Sequence, residues 1–186
     1  MTQKNENDLV ILFSGGADSI LMMEMAKSLG KTPLAAIINY HQLHSHEIVK
    51  AEKYCIKKHV KYEIVELKNY IVKSGLVTGE KNTYENVHEM WVPARNTIFL
   101  SIAAGIAESG GIKNIWIGAD MDDYYNKFPD CLQNYIGQIN ELFKIAFSYP
   151  IFVEAPLLGF SKENVLKMLK YYGIKDDEMF SGYGEL

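Results

Sequence analysis

A chain of 186 residues, 48% hydrophobic and 23% charged, has the composition of one globular domain with a sizeable core, which excludes fibrous and disordered classes. A formal net charge of −4 gives no electrostatic basis for non-specific nucleic-acid binding, so a small-molecule substrate is expected. Two cysteines, Cys55 and Cys131, stand far apart and in no C-x-x-C pair, which suggests neither a disulfide framework nor a zinc knuckle and suits a reducing cytoplasm.

In chain order, the polar start "MTQKNEND" runs directly into "LVILF" (9–13), a strand signal and not a secretory leader. The turn "SGGADS" follows, then a helix over 18–29. A strand over 34–39 ("LAAIIN") leads to a helix over 45–59, and "YEIVEL" (62–67) is a third strand. Residues 68–93 hold no sustained period and carry glycine, asparagine and aromatics, as expected of a lid or flexible loop. "RNTIFLSIAAGIAES" (95–109) is apolar on most of its circumference and reads as a buried central helix. A strand over 114–119, a helix over 131–147, a strand over 151–155 and a helix over 162–172 complete the chain. Ser161 is placed to cap the last helix and Gly173 to stop it. No apolar run approaches the ~20 residues needed to span a bilayer, so a soluble, intracellular protein with no membrane partner is expected.

Short strands alternating with longer helices argue for βαβ units. The expected fold is α/β: one domain over 1–186, a doubly wound five-stranded parallel sheet with helices on both faces, with ligands beyond the strand carboxyl ends.

The stretch from Ser14 to Ser19 carries the strongest chemical signal. Gly15 and Gly16 let backbone N–H groups approach a ligand, the helix N-terminus favours an anion, and Ser14 and Ser19 add hydroxyls. The loop lacks the lysine of a Walker motif. Asp18 beside phosphates either caps the helix or meets a magnesium ion. A second Ser-Gly-Gly at 109–111 follows a helix and precedes a strand, so there glycine is a helix stop.

Arg95 opens a helix, where a cation opposes the dipole; a phosphate ligand would justify it, and so would a glutamate partner. Asn96 beside it can donate or cap. Lys162 stands likewise at the start of the last helix, facing either solvent or a phosphate or carboxylate. Asp120, Asp122 and Asp123 follow a strand end, in the cleft or merely solvated. Tyr40 and His41, just past the second strand, are placed to flank a base. The pair His44 and His46 lacks a third ligand and reads as a polar helix start.

"FSGGADS" resembles the PP-loop of the ATP pyrophosphatases, which split ATP between its α- and β-phosphates and leave AMP on the substrate; the resemblance implies the adenine nucleotide alpha hydrolase-like, Rossmann-like fold. "VPARNTIFLSIAAGIAE" (92–108), "IGADMDDYYNKFPDC" (117–131) and "APLLGFSKENVLKM" (155–168) resemble consecutive motifs of the 7-cyano-7-deazaguanine synthase family, and "INYHQLHSHEIVKAEKYC" (38–55) does so more loosely. The resemblance runs in order from about Val10 to Tyr183. It implies ATP and Mg2+ as cofactors, and ATP, a deazaguanine carboxylate and ammonia as small-molecule partners, with no direct nucleic-acid contact; a homodimer is compatible with it. It also implies Arg95, Lys162 and Asp18 as catalytic residues. Ser14, Gly15, Gly16, Asp18, Ser19, Tyr40 and Arg95 would hold the nucleotide, while Phe128, Asp130 and Asn96 would line the purine pocket. A carboxylate at position 130 would accept from the N1–H and exocyclic amine of a guanine-like base.

The resembling family carries a four-cysteine zinc site near its C-terminus. Here Gly182 stands where its first cysteine would be, and the remaining ligands do not follow, so zinc is not expected. The implied activity is an ATP-dependent ligase that converts 7-carboxy-7-deazaguanine to the 7-cyano compound, for tRNA or DNA modification. The alternatives are a variant stopping at the 7-amido compound, a PP-loop ligase for another carboxylate or a tRNA thiolase, and a non-catalytic nucleotide- or deazapurine-binding partner. The lack of a C-x-x-C pair and the presence of "PDC" argue against thiolation.

Overall fold

The computed structural model describes residues 6–41, 46–68, 91–126 and 128–175. The expected lid at 68–93 (for residues 69–90), the His44–His46 pair (its side chains) and the tail with Gly182 lie outside the described residues.

Strand β1 (Leu9–Leu12) is an apolar run that works as one because it is central: Leu9, Val10 and Ile11 are fully buried. It pairs in parallel with β2 (Pro33–Asn39) in the register Leu9↔Pro33 to Leu12↔Ala36, and with β4 (Asn114–Trp116) through Val10↔Ile115 and Ile11↔Trp116. Strand β3 (Lys61–Glu66) adds in parallel to β2, and β5 (Phe152–Glu154) to β4. The order β3-β2-β1-β4-β5 is doubly wound: the chain builds outward from β1 to β3, then crosses back to β4 and builds the other way. The switch between β1 and β4 opens the crevice in which such sheets bind ligands.

Side chains of β1 alternate between two cores. Leu9, Ile11 and Phe13 join residues of α1 (Ala17–Ser28), α2 (His46–Lys57) and α6 (Lys162–Tyr171) on one face. Val10 joins residues of α3 (Arg95–Gly110) and α5 (Gln133–Ala146) on the other. Ser161 caps α6, its Oγ accepting the Asn164 N–H at 3.3 Å, and Gly111 ends α3 at φ 72°. Among the described residues no helix is long and apolar enough to cross a membrane.

Three expectations need correction. Helix α3 is not buried all round: Asn96, Leu100, Ala103, Ala104 and Ala107 form one buried stripe, while Ser101 and Ser109 are exposed. Its small residues let one side lie close on the sheet, and the apolar residues of the other sides are only half-covered. The helix expected over 131–147 begins later, because Leu132 is extended (ψ 153°), and a short 3-10 turn, Pro129–Cys131, precedes it. A further helix, α4 (Met121–Tyr125), was not anticipated. Its capping box is written in the sequence, with Asp120 as cap and Asp123 three residues on.

Candidate active site at the crevice

The loop from Ser14 to Ser19 joins β1 to α1 at the mouth of the crevice. Gly15 donates its N–H to Ser19 Oγ at 3.0 Å, and Gly16 donates to Ser14 Oγ at 3.3 Å. Ser19 Oγ in turn donates to the Gly16 carbonyl at 2.9 Å. The two serines therefore hold the loop in shape with its amides gathered on a turn. Gly16 caps α1 with extended backbone and no side-chain bond, so the helix N-terminus is left to the loop.

Glycine at 15 has two causes. Its φ is +80°, and a Cβ there would stand 3.0 Å from the Ala51 amide nitrogen of α2. Gly118, which sequence reasoning passed over, serves the same loop: a Cβ there would lie 3.3 Å from Asp18 Cβ and 3.2 Å from Met22 Cε. The bare end of β4 thus admits the first turn of α1. A glycine directly after an apolar strand was the available signal.

Asp18 does not cap α1, and its side chain is only partly exposed. Its Oδ2 accepts from Lys162 Nζ at 2.6 Å, and Lys162 also donates to Asp120 Oδ2 at 3.2 Å. The Lys162 expected at a helix start is thereby drawn into the crevice by two carboxylates and joins α6 to the loop and to the N-cap of α4. Asp120 is only 3% exposed and spends its other oxygen on α4, accepting the N–H groups of Asp122 (2.9 Å) and Asp123 (3.1 Å). Burial pushes the Asp18 carboxyl above its ordinary value, and Lys162 offsets this only in part. Burial also works against the Lys162 charge, but Asp18 and Asp120 outweigh it and its pKa is raised. We hold the pair to be a charged Lys162 facing a carboxylate that burial disfavours.

Asp18 Oδ1 is buried and has no hydrogen-bond partner among the described residues. Such an orphaned acceptor costs about 1–3 kcal/mol, and a divalent cation would satisfy it. Among the described residues no three metal-binding side chains are grouped to hold an ion. A magnesium ion at Asp18 would thus rely on other oxygens, such as phosphates, for most of its ligands.

A second cluster lies at the start of α3. Tyr40, 7% exposed, packs edge-on to Phe99 (centroids 5.2 Å apart) and is hydrogen-bonded to the Arg95 side chain. Arg95 has no glutamate partner among the described ion pairs. Burial opposes its charge, but the Tyr40 phenol and the Asp130 carboxylate more than compensate. Asn96 is buried and donates from Nδ2 to the Asp130 carbonyl at 3.1 Å and to Cys131 Sγ at 3.2 Å. Asp130 is 7% exposed and accepts from the Asn96 N–H at 3.2 Å and the Trp91 indole N–H at 3.3 Å. Phe128 is half-buried and donates its N–H to the Asp123 carbonyl at 3.0 Å. Burial raises the Cys131 thiol pKa, which makes it a poor nucleophile.

Asp123 connects the two clusters. Its Oδ2 accepts the Asp120 N–H at 3.0 Å; it feels the charge of Asp18, and its own charge is felt by Cys131. Burial lifts its carboxyl to about 6, against the Asp120 N–H that favours its charge. A group raised from 3.8 to about 6 on folding carries no penalty below about pH 4. Between these values the unfolded chain ionises first, so its contribution to stability falls as pH rises and stays low above 6. Asp123→Asn keeps an oxygen for the cap, so the variant is expected to be more stable than the parent at pH 7.5, by on the order of 1–2 kcal/mol. The gain should vanish near pH 4, in urea melts over a pH series.

The sequence-designated residues thus fall into two groups on one end of the sheet. Ser14, Gly15, Gly16, Asp18, Ser19 and Lys162 form one; Tyr40, Arg95, Asn96 and Asp130 form the other, with Phe128 at the turn that joins them.

The family model described as queuosine biosynthesis protein QueC matches residues 8–185. The 7-cyano-7-deazaguanine synthase of Coxiella burnetii (strain RSA 493 / Nine Mile phase I) is 38% identical over 173 residues, which span 86% of this chain and 75% of that protein. The enzyme of the same name from Rickettsia felis is 34% identical over 191 residues, spanning 94% and 83%. Among solved structures, the tRNA thiolase of Methanococcus maripaludis superposes with a TM-score of 0.62 at 18% identity, over 98% of this chain and 63% of that one. That last likeness is one of fold alone. With a family match over nearly its whole length, the chain belongs to the QueC family of queuosine biosynthesis proteins.

Proposed function

We propose that the chain is an ATP-dependent carbon–nitrogen ligase that converts 7-carboxy-7-deazaguanine and ammonia to 7-cyano-7-deazaguanine, releasing AMP and pyrophosphate. The observation that carries the reading is the convergence of the Ser14–Ser19 loop with Lys162 at the β1–β4 switch point, in a chain of this family.

The substrate carboxylate attacks the α-phosphorus of ATP; the bond to the bridging oxygen breaks and pyrophosphate leaves. Ammonia then attacks the acyl carbon, AMP departs with the bonding electrons, and the lost proton leaves an amide. A second ATP activates the amide oxygen, which departs as AMP while nitrogen gives up its protons and forms the nitrile. Hardly any side-chain acid–base work is required. The chain contributes position and charge: loop amides and the α1 N-terminus for the leaving pyrophosphate, and Lys162 and Arg95 for charge on the transferring groups. A magnesium ion, when bound, would neutralise phosphate charge, and Asp18 is the residue placed to hold it.

The test is to incubate the purified chain with the carboxylate, ATP, magnesium and ammonium and to measure AMP and pyrophosphate together. Release that depends on the carboxylate is expected. ATP left intact in its presence would end the ligase reading in favour of a binding protein.

A further inference from the structure

Helix α3 starts in an unusual manner. Residues 92–95 make a turn closed by the Arg95 N–H on the Val92 carbonyl at 3.2 Å. Ala94 sits in it at φ 58° and ψ 10°, the left-handed conformation of the third residue of a type II turn, where glycine is favoured. An alanine held there costs about 1–2 kcal/mol, so its surroundings must impose it. Ala94 is also the N-cap of α3 and has no side chain able to cap it.

Asp130 supplies what is missing. From another segment, its Oδ2 takes the Asn96 N–H, an orphan donor of the first turn, while Oδ1 takes the indole N–H of Trp91 just before the turn. Asn96 returns the contact through Nδ2 to the Asp130 carbonyl. Between the strained Ala94 and the pinned Asn96 stands Arg95, hydrogen-bonded to the Tyr40 phenol at the end of β2. Each Asp130 oxygen accepts a protein N–H and the side chain is almost wholly covered, which leaves little of the carboxylate open to a guanine edge.

We propose that Asp130 is a positioning residue for Arg95: its carboxylate fixes the first turn of α3 and thereby aims the guanidinium, so that its loss is felt in ATP binding and not in recognition of the deazapurine. The proposal rests on the ligase reading, in which Arg95 meets ATP phosphate. It removes Asp130 from the purine pocket and makes Ala94 part of the same device.

The test uses the whole chain and two equilibrium titrations by calorimetry. One ligand is α,β-methylene ATP with magnesium, which cannot be cleaved; the other is 7-carboxy-7-deazaguanine alone. Asp130→Ala is expected to weaken the ATP analogue about tenfold or more and the carboxylate by less than about threefold. In an Arg95→Ala background the same change should alter ATP affinity by less than about twofold, because the two residues act through one contact. If Asp130→Ala does not fold, Asp130→Asn carries the same readout. It keeps the size of the side chain and one acceptor oxygen but sets an amide NH2 against one of the two N–H donors, so affinity for the ATP analogue should fall while that for the carboxylate holds; unchanged ATP affinity would overturn the proposal. Loss of carboxylate binding with ATP affinity retained would overturn the proposal, as would independent effects of Asp130→Ala and Arg95→Ala. A parent chain that binds ATP but never the carboxylate would instead defeat the ligase reading and leave the Asp130–Arg95 coupling standing.

Discussion

Lys162→Ala is expected to lower carboxylate-dependent pyrophosphate release by on the order of 10²–10³-fold, the usual cost of removing one preorganised charge from a transferring group. It should also destabilise the fold, because Asp18 and Asp120 would then face one another without their shared cation. Hydrogen bonds to charged groups put that loss at about 1–3 kcal/mol. The lower part of the range is appropriate, since the Lys162 side chain is 39% exposed and solvent screens it. The deficit should shrink as pH falls and Asp18, whose carboxyl burial already pushes above its ordinary value, takes up a proton. Adding Asp18→Asn to Lys162→Ala should recover most of the stability and none of the activity. Parallel urea melts and pyrophosphate assays separate the two effects; recovery of both together would mean that Lys162 merely braces the crevice.

Gly15→Ala is expected to damage both the fold and nucleotide binding. At φ +80° an alanine costs about 1–2 kcal/mol in backbone strain alone. Its Cβ would also press against Ala51 N at 3.0 Å and Ala51 Cα and Cβ at 3.1 Å, and backbone of a packed helix cannot rotate out of the way. The total is about 2–4 kcal/mol, together with loss of nucleotide binding as the loop is pushed off α2. Gly30→Ala is the control. Its φ is +73°, but nothing lies within 4 Å of the added methyl, so only the strain remains, about 1–2 kcal/mol, with nucleotide binding intact. Thermal melts with and without ATP test the pair, and equal losses in both variants would show that contact with Ala51 is immaterial.

Periodicity made the fold legible because β1 and β2 are apolar runs between turn signals and α6 repeats every three or four residues. The doubly wound parallel class followed from the alternation of strands and helices, while the order β3-β2-β1-β4-β5 was not among the expectations. The Ser14–Ser19 loop was legible because its context, strand then turn then helix, is local. What escaped the sequence is everything that depends on a partner distant in the chain. Lys162 and Asp18 are 144 residues apart, and nothing in either segment names the other. Gly118 is explained only when α1 is seen against β4. Asp130 was assigned to the base by resemblance, and its hydrogen bonds from the Asn96 N–H and the Trp91 indole could not be read from the sequence. Helix α4 is the local exception: its capping box, Asp120 and Asp123, is present in the sequence, but aspartates after a strand end read equally as a solvated acidic loop.

Electrostatics explain why these residues are read as functional and not as stabilising. Asp18 and Asp120 share one lysine with Asp123 close by, burial disfavours the charge of Asp18 and Asp123, and among the described residues Asp18 Oδ1 has no hydrogen-bond partner. A chain selected for stability alone would gain by replacing them. Beside an anion-binding loop the arrangement becomes sensible once a phosphate ligand and its cation share the crevice.

The most direct measurement is the mass of the product formed from 7-carboxy-7-deazaguanine, ATP and ammonium by the purified chain, repeated with 15N-labelled ammonium. The account predicts the 7-cyano compound carrying one 15N, with AMP and pyrophosphate formed alongside. The labelled 7-amido compound as the final product would confine the chain to the first half of the reaction, and unchanged carboxylate with intact ATP would contradict the account.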